Sequence, residues 1–96
     1  MSADTLTSLL NRCTAIIKAK IVTVKALAED IGEHPVRVSE WVMQRTFEPR
    51  GSVAMKLHGW AEKMTIRIAM LDHEIQQRYR REYKKANARF PVNGRN

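Results

Sequence analysis

Three histidines, one cysteine and ten acidic residues are the side chains in this 96-residue sequence with the chemistry to bind a metal or move a proton. His34, His58 and His73 are spaced so that no two lie one helical turn apart, which gives a zinc site no support. Cys13 has no second cysteine with which to form a disulfide or a metal cage. Its spacing with Leu6, Leu9 and Ile16 is that of a small core residue. No Ser-His-Asp order, glycine-rich phosphate loop or paired-carboxylate arrangement stands out. The expectation is a non-enzymatic protein with no catalytic residue, no metal and no cofactor.

What remains is positive charge. The chain carries 17 basic and 10 acidic residues, a formal net charge of +7. Residues 1 to 73 hold 10 basic and 8 acidic residues, whereas residues 74 to 96 hold 7 and 2. A basic end of this kind suits phosphate backbones or another polyanion. Hydrophobic residues make up 44% and charged residues 28%, proportions of a folding globular chain. The length supports one compact domain. The longest apolar stretches, Ile16-Ile17 and Ile21-Val22, are far below the roughly 20 residues of a membrane helix, and no signal-peptide pattern opens the chain. A cytoplasmic protein without membrane attachment is expected.

The elements that must position these charges are helical. Ser2 or Asp4 can cap a first helix in which Leu6, Leu9, Leu10, Cys13, Ile16 and Ile17 recur on one face, with Lys18 and Lys20 favouring its C-terminal end. Thr23 can cap a second, Val24 to Ile31, with Val24, Leu27, Ala28 and Ile31 inward. Gly32 ends it, since glycine turns through positive φ at no steric cost. Pro35 suits a first helical position and opens a third helix to about Gln44, with Val38, Trp41 and Val42 buried. Arg45 to Gly51 reads as a loop. Ser52 can cap a fourth helix through Val53, Leu57, Trp60, Ala61 and Met64. Thr65 is the plausible break before a fifth, long helix carrying Ile68, Leu71, Ile75, Tyr79 and Tyr83, and the two helices are otherwise continuous. Fraying is expected beyond Pro91.

Two short helices joined by a tight turn containing glycine, Thr23 to Val42, are the pattern of a helix-turn-helix. Ala28 must be small where the helices cross, and Leu27, Ile31, Val38 and Trp41 lock the pair. Ala28, Gly32, Val38 and Trp41, with the stretch VSEWVMQRTFEPRGSVAMKLHGWAEKM that follows, resemble the lambda-repressor and Cro-like family of helix-turn-helix proteins. The resemblance covers roughly residues 5 to 64. It implies an all-α fold: a five-helix helix-turn-helix domain over residues 1 to 64, extended here by a basic amphipathic helix over residues 65 to 90 and a tail over residues 91 to 96. It also implies a phage or bacterial transcriptional regulator that sets Pro35 to Met43 in the major groove of double-stranded DNA. Carried over by position, His34, Pro35, Val36, Arg37, Ser39 and Glu40 face the bases. Ser39 can donate or accept, Val36 can meet a thymine methyl, and Glu40 can accept from a cytosine amino group. Arg37 lies beside this row, within reach of a guanine or a phosphate. Lys25, Arg45 and Arg50 fall where phosphates are held. Glu33 follows the turn glycine where the family usually has an apolar residue. With Pro35 and Glu40 it motivates an alternative, a factor that keeps this fold but binds a host protein.

Beyond the motif, Arg78, Arg81, Lys84 and Lys85 form a basic face opposite an apolar edge of Ile75, Tyr79, Tyr83 and Ala86. That edge can pair with its twin in a homodimer, the face can contact nucleic acid as an arm, or the helix can fold back on its own domain.

Overall fold

The second helix shows how closely local chemistry is followed. In the computed structural model, which describes residues 3 to 92 with side chains from Thr5 onward, α2 spans Val24–Ile31. Thr23 caps it, its hydroxyl accepting from the Ala26 N–H at 3.0 Å. Gly32 ends it at φ 70°, and the N–H of Glu33 reaches back to the Ala28 carbonyl at 2.9 Å. Pro35 then opens α3, Pro35–Val38.

Every regular element among the described residues is helical. Helix α1 spans Ala3–Lys18, α4 Gly51–Ala69 and α5 His73–Arg89. The expected cap at Ser2 lies outside the described residues, as does the side chain of Asp4 and the tail from residue 93 on.

One core joins the first four helices: Leu9, Cys13 and Ile16 from α1, Leu27 and Ala28 from α2, Val38 from α3, and Leu57, Ala61 and Met64 from α4. The Trp60 indole N–H satisfies its polar end on Asp30 Oδ2 at 3.1 Å, which ties α4 to α2. Trp41 and Trp60 are both buried.

The third helix departs from its expected course. After Val38 it widens into a π-helical turn, Ser39–Gln44, rather than running as α-helix to Gln44. A tertiary contact falls on this turn: the Thr14 hydroxyl lies 2.8 Å from the Leu10 carbonyl and 2.6 Å from the Val42 carbonyl, sharing its one proton between them. The turn closes on Arg45 at φ 60°, where the Arg45 and Thr46 N–H groups both reach the Glu40 carbonyl.

Helix α4 departs too. It starts at Gly51, with Arg50 rather than Ser52 in the capping position. It also passes straight through Thr65, whose hydroxyl donates to the Ala61 carbonyl at 2.8 Å and so fits inside a helix. Met64 and Thr65, where a domain boundary was expected, lie inside this helix. The chain turns at Met70 to Asp72 instead, and the Gln76 side-chain amide closes the corner by donating to the Ala69 and Leu71 carbonyls.

Helix α5 then runs antiparallel to α1, joined to it near Ala19 at one end and near Asn11 at the other. Of the three arrangements left open above, the helix takes the one in which it folds back on its own chain: Tyr79 packs against the core, Tyr83 Oη lies 3.3 Å from Ser8 Oγ, and Ile75 is half-buried. The small stripe Ser8, Asn11, Ala15 and Ala19 on α1 receives it, with Ala86 buried on α5. Helix α1 is thus covered on two sides.

Candidate nucleic-acid interface

The exposed row begins at the N-terminus of α3. His34 caps the helix, Nδ1 accepting from the Val36 N–H at 3.1 Å, which assigns the neutral ring's proton to Nε2. His34, Pro35, Val36 and Arg37 are all exposed, Val36 by 59%. Behind them Val38 is fully buried, so the row stands on a fixed floor.

Ser39 and Glu40, placed in the same row by sequence, are half-buried. Glu40 Oε1 is shielded from solvent with no hydrogen-bond partner, and Arg37 Nη1 stands off at 3.9 Å. The Arg37 guanidinium lies 6.0 Å from the centre of the Trp41 ring. Arg37 rather than Glu40 therefore presents its charge to solvent here.

The phosphate set divides. Lys25 and Arg50 are exposed. Arg45 turns inward: its Nη1 donates to Asn11 Oδ1 at 2.8 Å and its guanidinium stacks 4.1 Å from the centre of the Phe90 ring. Burial lowers its pKa, the Cys13 thiol opposes that shift, and Arg89 adds to it. The inward contact satisfies Asn11, which is fully buried and also donates to Asn87 Oδ1 and the Phe90 carbonyl, each at 2.9 Å. A residue in this network is occupied, which corrects the expectation that Arg45 stands ready for a phosphate.

The basic helix divides in the same way. Arg78 donates twice to the Ala19 carbonyl, at 3.1 and 2.9 Å, and so serves the end of α1. Arg81, Lys84 and Lys85 are exposed, with Lys85 3.5 Å from Glu82. Lys85, Arg89 and Lys18 line one small groove with Thr14, the residue that also bonds Val42. This places part of the basic face on the side of α1 that carries the π turn.

A cleft of about 500 Å³ lies between α3 and the loop before α4. It brings Arg37 and Arg50 together with Trp41 and Phe47, and with Glu33 and Glu48. Glu33 is paired with Lys56 at 3.0 Å, which offsets one of the two acids. Phe47 is 60% exposed. Sequence reading passed over Phe47, although an aromatic residue in a polar loop was a visible signal. Asn11, Thr14 and Phe90 gave none, since their partners are remote in the chain.

The other titratable groups act locally. His58 lies 3.0 Å from Glu62, and His73 lies 3.3 Å from Gln77. Among the described residues no group of three or more His, Cys, Asp or Glu side chains is placed to hold a metal ion. No helix among them is long and apolar enough to cross a membrane. Comparison with family models, with curated proteins and with solved structures finds no match to this chain.

Proposed function

We propose that the protein is a sequence-specific, double-stranded DNA-binding transcriptional regulator of lambda-repressor-like type that sets the helix beginning at Pro35 into the major groove. The observation that carries this reading is the exposed row His34 to Arg37 on a buried floor, with Arg37 and Arg50 on one cleft beside it. Val36 meets a thymine methyl and Arg37 a guanine edge or a phosphate, while Lys25 and Arg50 hold the backbone. Exposed Arg81, Lys84 and Lys85 add sequence-independent attraction. Two copies on one duplex would read half-sites roughly 34 Å apart, which appear as an inverted repeat.

Selection of duplexes from a random pool, followed by binding at several salt concentrations, tests the reading. An enriched site is expected, with Arg37→Ala weakening it by about 1 to 3 kcal/mol and relaxing preference at one position. Lys25→Ala is expected to weaken all duplexes alike and to lower the salt slope by about one. No enriched sequence and no salt-sensitive binding would reject it.

A second reading is favoured by one feature: Phe47 on this cleft and Val36 on α3, both large and apolar, are exposed. On that reading the same surface binds a host protein. Tight capture of one defined partner, unaffected by Arg37→Ala and Arg50→Ala, with no duplex selected, would support it.

A further inference from the structure

A second cleft, of about 590 Å³, opens between the first half of α1 and the end of α5. Its polar wall is Arg12, Ser8, Tyr83 and Asn87, with Pro91 and Val92 at its edge. Among the described residues no carboxylate lines it, in contrast to the cleft beside α3 with its Glu33 and Glu48. A guanidinium, an amide and the Ser8–Tyr83 hydroxyl pair, in which one hydroxyl donates to the other and one proton stays free, can all donate hydrogen bonds. Asn87 Oδ1 is already taken by Asn11 Nδ2, so the N–H groups of Asn87 are what it has left to offer.

Arg12 gives this wall its sign. The residue is half-buried, and its Nε is shielded from solvent with no hydrogen-bond partner. The guanidinium lines the cleft with no ion-pair partner among the described residues, and an oxyanion in the cleft supplies the opposite charge. The neighbours are held in place for this. Tyr83 stacks on Tyr79, their ring centres 5.9 Å apart and their planes within 7°, and its hydroxyl lies 3.3 Å from Ser8 Oγ. The proposed DNA surface is elsewhere. Thr14 and Lys18 of α1 face Lys85 and Arg89 of α5 in a different groove, about 200° around each helix from Arg12 and Asn87.

We propose that this cleft binds a small molecule through a phosphate or carboxylate group held by the Arg12 guanidinium, the Ser8–Tyr83 hydroxyl pair and the Asn87 amide. The volume is that of pockets which enclose small organic ligands, so an organic body has room beside the anionic group. The proposal does not rest on DNA binding. A ligand there touches both α1 and α5 and stabilises their contact.

Titration of the ¹⁵N-labelled full chain with inorganic phosphate and, separately, with acetate tests it by NMR. Saturable shifts are expected at the Arg12 Nε–H and at Ser8 and Asn87. Arg12→Gln is expected to weaken the response by about tenfold or more, and Tyr83→Phe, which keeps the ring, by about threefold. Arg67→Gln, in a separate basic cluster with Lys20 and Arg78, is expected to leave it unchanged. Response to phosphate alone, to acetate alone or to both supports the site and identifies its group. Absence of saturable shifts with either anion overturns the proposal. So does wild-type response in Tyr83→Phe, which decides the matter should Arg12→Gln fail to fold. Equal loss in Arg67→Gln also overturns it, since the anion would then be responding to net charge.

Discussion

On one side α1 meets α4 and the π turn through Leu9, Leu10, Cys13 and Ile16, all buried. On the other it meets α5 through Asn11, which bonds Asn87, Arg45 and the Phe90 carbonyl, and through the Ala19 carbonyl, which accepts from Arg78. The first contact is non-directional and depends on volume. The second is directional, so it fixes how far along α1 the last helix stops. The arginines follow this division. Arg45 and Arg78 are spent on the directional side, while Arg37 and Arg50 stay at the surface. Equal side chains thus have opposite duties, decided by what is buried beside them.

Cys13 offers the largest effect with which to probe the apolar side. Burial pushes its thiol from 9.0 up to about 12, against the opposing pull of Arg12 and Arg45. Alkylation near neutral pH is therefore expected to be roughly a thousandfold slower in the folded than in the unfolded chain. A thiol with a raised folded pKa contributes stability that is full below 9.0 and is lost as pH rises toward about 12. Tyr79, raised by burial from 10.0 to about 12, acts in the same direction. Urea midpoints measured across alkaline pH should fall over that window, and less steeply in Cys13→Ala with Tyr79→Phe. Fast alkylation of the native chain would show that the apolar side admits water.

Volume is the next probe. Leu57→Ala is expected to cost about 2 to 5 kcal/mol in urea unfolding, by lost transfer energy plus a cavity. On the directional side, Asn11→Leu should cost about 1 to 3 kcal/mol, because the Arg45 guanidinium keeps its burial and loses its acceptor. Adding Arg45→Met should recover part of that loss, since both partners are then apolar. Simple additivity in that double-mutant cycle would erase the contrast between the two sides.

The smallest effects come from two helix ends closed by the same turn. Gly32 has φ 70° and Lys20 has φ 63°, each with the following N–H reaching back to the helix. No neighbouring atom lies within 4 Å of where a Cβ on Gly32 would sit, so Gly32→Ala costs only backbone strain, about 1 to 2 kcal/mol. Lys20→Gly should return about 1 kcal/mol or less, because it relieves that strain and loosens the unfolded chain. Thermal midpoints should move in opposite directions.

What was legible in the sequence is what neighbouring residues decide. Thr23, Gly32 and Pro35 bound α2 and open α3 as read, because capping and positive φ are local matters. The apolar face of α1 and the burial of Val38, Trp41 and Val42 also follow from spacing. The π turn was not legible, and its contact with Thr14 comes from 28 residues away in the chain. Thr65 misled because its hydroxyl has a second use inside a helix. The second face of α1 was hidden for a related reason: alanines and an asparagine look like a surface until α5 is set upon them. In the candidate site, His34 to Arg37 and Arg50 are exposed, whereas the inward turns of Arg45 and Arg78 and the shielding of Glu40 depend on residues remote in the chain or buried beside them.

Asn11 has one more consequence, in the order in which the chain is made. Its partners Asn87 and Phe90 are synthesised some 75 residues after it. Until they emerge, α1 carries an open polar seam beside a complete apolar face, and Arg45, where the π turn closes, lacks the Phe90 ring it stacks on. A nascent chain can therefore assemble the α1 to α4 core before the residues that anchor Arg45 have been made.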